Sequence, residues 1–149
     1  MTYRDLVKKG LLRKEKISFD QINRILERSY RNIKSSKILL EKDEEGSFQF
    51  AYQAMLLAAR ALVLSFGLRP RVVGSHKIVI EFTERVLGKE YKTLIKKFDK
   101  MRRKRHYLIY EAELTVSKTE AKNAIKTAEK FLKIIKEIIQ KKNPQRKLI

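Results

Sequence analysis

Apolar residues recur along this chain at helical spacing. From Ser18, which reads as a helix cap with Gln21 three positions on, apolar or small residues fall at Ile22, Leu26, Ser29, Ile33, Ser36 and Leu40, the inner face of a long helix ending near KDEEG. The serines in that stripe are small enough to let a neighbouring helix approach closely. The next segment, FQFAYQAMLLAARALVLSF, starts from Ser47 and keeps only Gln49, Gln53 and Arg60 as a polar stripe; a helix of that pattern is wrapped on nearly all sides. Gly67 and Pro70 stop it, and LRPRVVGS reads as a connecting loop. SHKIVIEFTERVL is a shorter helix capped by Ser75 and ended by Gly88; IVIEF is β-branched, yet EFTERVL continues the helical period. Residues 90–113 form another long helix. The last opens at Ser117 with Glu120 as a second capping box, and its stripe is Ala121, Ala124, Ala128, Phe131, Ile135 and Ile138.

Ahead of these helices, residues 3–14 read as a short amphipathic helix with a soft end at Gly10 that packs onto the rest. The whole pattern predicts an all-α protein, an up-and-down bundle of four to five long helices plus a short N-terminal helix. One domain spans 1–149, with its core over about 18–141, residues 1–16 as an N-terminal extension and 143–149 as a ragged tail.

Composition narrows the function. Thirty-six Lys and Arg against seventeen Asp and Glu give a net charge of +19, a field that attracts polyanions, so a nucleic acid or an acidic protein is the expected partner. Lysine-rich surfaces also occur in proteins from hot environments, and the charge alone does not separate the two. With no cysteine, disulfides, Cys-based zinc sites and thiol nucleophiles are excluded, which suits a reducing cytoplasm. MTYRDLVKKGLLRKEK lacks the apolar run of a signal peptide, and Ala54–Phe66 is too short to span a bilayer and carries Arg60; a cytoplasmic protein without a membrane partner is expected. There is no GxGxxG, P-loop, HExxH or GxSxG, and only two histidines, so no cofactor and no metal site is expected. His76, at a helix start, and Tyr52, on the buried helix, read as structural.

The chemistry concentrates in MRRKRHYLIYE, residues 101–111. On a helix, Leu94, Phe98, Met101, Leu108 and Ala112 share one apolar band, and Arg105 falls inside it. A guanidinium there is costly unless a carboxylate pairs with it or it faces a cleft; Glu41, Asp43, Glu44, Glu45 and Glu111 are the possible partners. Arg102, His106 and Tyr110 make a second row. With Lys100, Arg103, Lys104 and Arg105 they form a basic belt with aromatic tips, whose natural complement is phosphate, although such a run is also what a solvated helix face looks like.

FAYQAMLLAARALVLSFGLRP, SHKIVIEF, RKRHYLIYE and AEKFLKIIKEI together resemble the HEPN family of small helical domains, over about Ile22 to Ile139. The resemblance implies a four- or five-helix bundle that forms a homodimer. Many members are metal-independent ribonucleases or toxins paired with a minimal nucleotidyltransferase antitoxin; others bind RNA or act as non-catalytic partners. The family's active-site motif is an Arg, a polar residue, several further positions and a His, with both copies meeting in the dimer cleft. Arg105 fits the Arg and His106 the polar residue, but Tyr110 stands where the His is expected. A free tyrosine, with a pKa of about 10, is ionised only to about one part in a thousand at pH 7. Two readings follow: a module that binds RNA or nucleotide phosphates, and a ribonuclease with Arg105 stabilising phosphorane charge and His106 or Tyr110 carrying the proton. The apolar helix from Phe48 to Phe66 supplies a physical motive for the homodimer, because it needs cover on several sides.

Overall fold

Both capping boxes form. The backbone N–H of Gln21 donates to Ser18 Oγ at 3.2 Å and Ser18 N–H donates to Gln21 Oε1 at 3.3 Å, while Ser117 and Glu120 exchange the same pair at 3.1 Å each. They open two of six helices in this computed structural model, which describes residues 2–72, 75–111 and 114–143. In chain order these are α1 (Arg4–Lys8), β1 (Leu12–Lys14), α2 (Phe19–Leu39), α3 (Glu44–Ser65), β2 (Leu68–Pro70), α4 (His76–Leu87), a 3-10 turn (Lys89–Tyr91), α5 (Lys92–Tyr110) and α6 (Lys118–Lys142). The protein is thus mostly helical, as its periodicity requires, with one small sheet added.

That sheet corrects two expectations. Residues 3–14 are not one helix: Gly10, at φ 75°, turns the chain out of α1 into β1. LRPRVVGS is not all loop either, since Leu68–Pro70 pairs antiparallel with Leu12–Lys14, with Arg13 opposite Arg69. Glu15 lies between these two arginines and bonds both. Leu6 and Leu12 are fully buried, so the N-terminal segment closes one end of the core.

Three helix ends also differ. α3 begins at Glu44, not at Ser47, because Asp43 is the cap: Gly46 N–H donates to its Oδ1 at 2.9 Å. A Cβ on Gly46 would stand 2.4 Å from Asp43 Oδ2, so glycine makes room for that cap. Ser75 occupies the cap position of α4 but its side chain accepts no capping bond. α5 ends at Tyr110, and Glu111 is extended; Ala112 and Glu113, the end of the helix expected over 90–113, lie outside the described residues, as does the tail from Pro144.

α3 is the axis of the bundle, packed against α2, α4, α5 and α6. Among the described residues it is the one helix long and apolar enough to cross a membrane, but it lies mostly inside the protein as a core helix. The chain's own helices therefore cover the segment that seemed to need a second copy, and that motive for a homodimer is removed. The serines of α2 explain how α2 comes so close. Ser29 Oγ donates to Ala54 O at 2.6 Å, Ser36 Oγ donates to Ser47 O at 2.6 Å and Ser47 Oγ returns a bond to Ser36 O at 2.7 Å. All three serines are fully buried and each hydroxyl is satisfied.

Ser29 gives a contrast that urea unfolding can read. Ser29→Ala should cost only about 1 kcal/mol, since the carbonyl it bonds also belongs to α3's own ladder. Ser29→Leu should cost about 3 kcal/mol or more, because the added volume forces α2 from α3.

Candidate functional site

Between Ser47 and Leu64 of α3, every residue is buried except Gln49, Phe50, Gln53 and Arg60. Gln49, Gln53 and Arg60 project within about 40° of one another on a helix, with Phe50 at the margin, so α3 has one open strip. Two cavities lie along α3, the first over Gln49, Phe50 and Gln53 and the second meeting the strip only at Arg60. The first, about 320 Å³, is lined by Asp43, Glu45, Gly46, Gln49, Phe50, Gln53 and Arg105. The second, about 250 Å³, has Leu57, Arg60 and Leu64 beneath it and Arg28, Arg69 and Ser75 around it.

Arg105 meets this strip from α5. It is half-buried, as its place in an apolar band requires, but none of the expected carboxylates pairs with it. Glu41 bonds Lys118 and Asp43 caps α3, while Asp43 and Glu45 only line the same cavity as Arg105. Its guanidinium instead lies over the Tyr52 ring, 5.7 Å from the centroid, so the aromatic face takes the place of an ion pair. Phe98 packs on Tyr52 from the same helix as Arg105.

The rest of the belt is divided. Asp99 accepts from Arg102 Nε at 2.8 Å and lies 3.4 Å from Arg103 Nε, and Lys104 bonds Glu120, holding that carboxyl below its ordinary range. Lys100 is exposed and has no ion pair among the described residues. Three of these five cations thus share two carboxylates, and such surface pairs leave their charge available to phosphate at modest cost. His106 and Tyr110 lie ring to ring, 4.7 Å apart, and both are exposed, Tyr110 at 71 %. Neither shares a hydrogen bond or a ring contact with the Arg105 guanidinium among the described residues. One chain therefore joins His106 to Tyr110 but does not join that pair to the arginine.

Sequence reading missed a different partner. Tyr52 is fully buried, and its hydroxyl bonds His76 Nδ1 at 2.9 Å. Burial pushes the Tyr52 pKa up to about 12 against the opposing fields of Arg105, Arg102 and Arg60. It stays protonated at neutral pH and is no base. Burial first, and then Arg105, Arg60 and Arg102, bring the His76 pKa down to about 4, so this imidazole is neutral at pH 7. The available signal was a tyrosine in an otherwise apolar helix, whose hydroxyl must find a partner. Nothing local says that the partner lies in the next helix.

Residues 22–138 match the model of the HEPN domain. No curated protein and no solved structure matches the chain.

The depressed His76 pKa has a direction in pH. The unfolded chain takes up this proton near pH 6.5 and the folded one only near 4, so the stability held above 6.5 declines as pH falls through that window. His76→Asn, which keeps an acceptor for Tyr52 but does not titrate, should flatten the fall in melting temperature between those limits. An unchanged profile in that variant would contradict the assignment.

Proposed function

The chain belongs to the HEPN domain family, and from that membership we propose that it binds RNA or nucleotide phosphates in a basic cleft floored by the open strip of α3 and walled by α5. Arg105 is the principal phosphate ligand, and Lys100, Arg102, Arg103 and Lys104 add a screening-sensitive field beside it. One observation carries this reading: a half-buried guanidinium with no carboxylate partner among the described residues opens into a cavity beside an exposed aromatic, Phe50. An arginine so held can give its fork of N–H donors to phosphate, and Phe50 offers a face for a base to stack on.

Binding without cleavage is the reading that the geometry favours. Tyr110 stands at the family motif's histidine position and His106 at its polar position, and the two rings pack on each other with no hydrogen bond to Arg105 among the described residues. A homodimer is supported by another feature. Tyr107, Ile109 and Tyr110 in the last turn of α5, and Leu114 beyond it, are large apolar or aromatic side chains exposed at 50 %, 49 %, 71 % and 43 %, and a second copy could cover them. In the second copy's cleft these tips would lie beside the partner's basic belt. The charge of +19 also suits an acidic protein partner, and a minimal nucleotidyltransferase antitoxin is the class that family membership suggests.

Fluorescence anisotropy with labelled RNA in a chelating buffer tests the reading. Affinity should fall steeply with salt, and Arg105→Gln should weaken it about tenfold. The RNA should stay intact. Cleavage lost in His106→Ala or Tyr110→Phe would replace the binding reading with the ribonuclease one, and no binding at low salt would remove both.

A further inference from the structure

α5 carries cations on two of its sides. Arg105 lies over Tyr52 of α3, whereas Lys97, Lys100 and Lys104 fall within about 60° of one another on the side that meets α6. Phe98 and Phe131, ring centroids 5.1 Å apart, hold α5 against α6, and two cavities lie between these helices. The larger, about 410 Å³, has Lys97, Lys100 and Lys104 on one bank and Asn123, Lys126 and Thr127 on the other. Phe48, Met101 and Ala124 make its floor. The smaller, about 190 Å³, shares Lys97, Lys126 and Thr127 with it and adds Lys130, so the two form one groove.

The charge of this groove is not balanced from within. Lys97, Lys100, Lys126 and Lys130 are exposed and have no ion pair among the described residues. Glu120 is taken by Lys104, and Glu90 is the other carboxylate of the lining, so four unpaired lysines face one acid. Ion-pair networks that stabilise proteins at high temperature need both signs. α6 makes such pairs elsewhere, Lys118 with Glu41 and Glu129 with Lys37, but not along the groove. A cleft with one sign of charge and an apolar floor focuses its field on whatever anion enters.

The form of the groove selects the anion. Along α5 the lysines stand about 4.5–6 Å apart, and Lys126 and Lys130 repeat by one turn on the opposite bank, so a repeating anion meets several of them at once. Each of these cations is a lysine, a hydrated point charge without the planar fork of an arginine, which suits phosphate held in no fixed orientation. The floor offers no face for a base to stack on, since Phe48 is only 3 % exposed. A groove over the seam of two packed helices admits one strand and is too narrow for a duplex.

We infer that the α5/α6 groove is a second anion site, a sequence-independent track for the phosphodiester backbone of a single strand, gripped by Lys97, Lys100, Lys126 and Lys130. The inference rests on the proposed function only for the class of ligand; Arg105 and the α3 strip are not part of it. Because the grip comes from several phosphates together, the track adds affinity to a long strand and little to a dinucleotide.

Fluorescence anisotropy of the whole protein with a labelled dinucleotide and with an oligouridylate of roughly twelve nucleotides tests this. Lys97→Gln, Lys126→Gln and Lys130→Gln together should weaken the longer strand at least tenfold. The slope of log affinity on log salt should fall by about 2, for three phosphate contacts at about 0.7 each. Dinucleotide binding should be unchanged. Lys8→Gln, Lys9→Gln and Lys16→Gln remove the same charge from exposed positions outside the groove and should alter neither ligand much. Equal losses in the two triple variants would overturn the track, because the net charge alone would then explain the binding. Polyglutamate whose binding is lost in the groove variant, while the longer strand still binds, would give the groove to an acidic protein and overturn it as well. Loss of the longer strand in the groove variant with Arg105→Gln unaffected keeps the track and removes the arginine reading. Loss in Arg105→Gln, with the groove and control variants alike, does the reverse.

Discussion

The demand of α3 to be covered organises this protein. Fourteen of its residues are buried, and a helix that apolar is stable in water only when neighbours lie on nearly every side. α2 approaches through Ser29 and Ser36, whose small side chains let the backbones close up while their hydroxyls are satisfied by carbonyls of α3. α4, α5 and α6 cover the other sides. What is left open is the strip of Gln49, Phe50, Gln53 and Arg60, and Arg105 lines a cavity over the first three of these. The site is the part of the core helix that the bundle does not close.

That placement accounts for the electrostatics. Tyr52 sits just inside the covered region, where its hydroxyl needs a partner, and His76 supplies one from the start of α4. Arg105 sits at the edge, with its guanidinium on the tyrosine ring and its donors toward solvent. A half-buried histidine is destabilised as a cation by its burial first and then by the neighbouring arginines, and the fold tolerates this by keeping it neutral. On the proposed reading, the arginine charge that adds to burial in keeping His76 neutral is also what an anionic ligand would meet.

Much of the fold was legible because its signals are local. Both serine capping boxes, the α2 stripe, the wrapped α3 and the glycine stops at Gly67 and Gly88 follow from spacing within a turn or two. The small sheet was not, since three-residue strands show no alternation and Leu12 finds Pro70 only through tertiary packing. Asp43 was passed over as a cap because Ser47, four residues on, looked equally suitable and lies in fact buried against Ser36. At the site, Arg105 stood out because it broke an apolar stripe. Its partner did not, because a tyrosine face leaves no charge pattern in the sequence. His76 was hidden by the same rule: Tyr52 and His76 are 24 residues apart, and only the packing of α4 on α3 joins them.

The central claim is that the open strip of α3, not the outward tip of α5, receives the anionic ligand. Mapping backbone and side-chain NMR shifts during titration with a short single-stranded RNA tests it most directly. The account predicts that the largest changes fall on Gln49, Gln53, Arg60, His76 and Arg105. Changes confined to His106, Tyr107 and Tyr110, with the α3 strip unmoved, would contradict it.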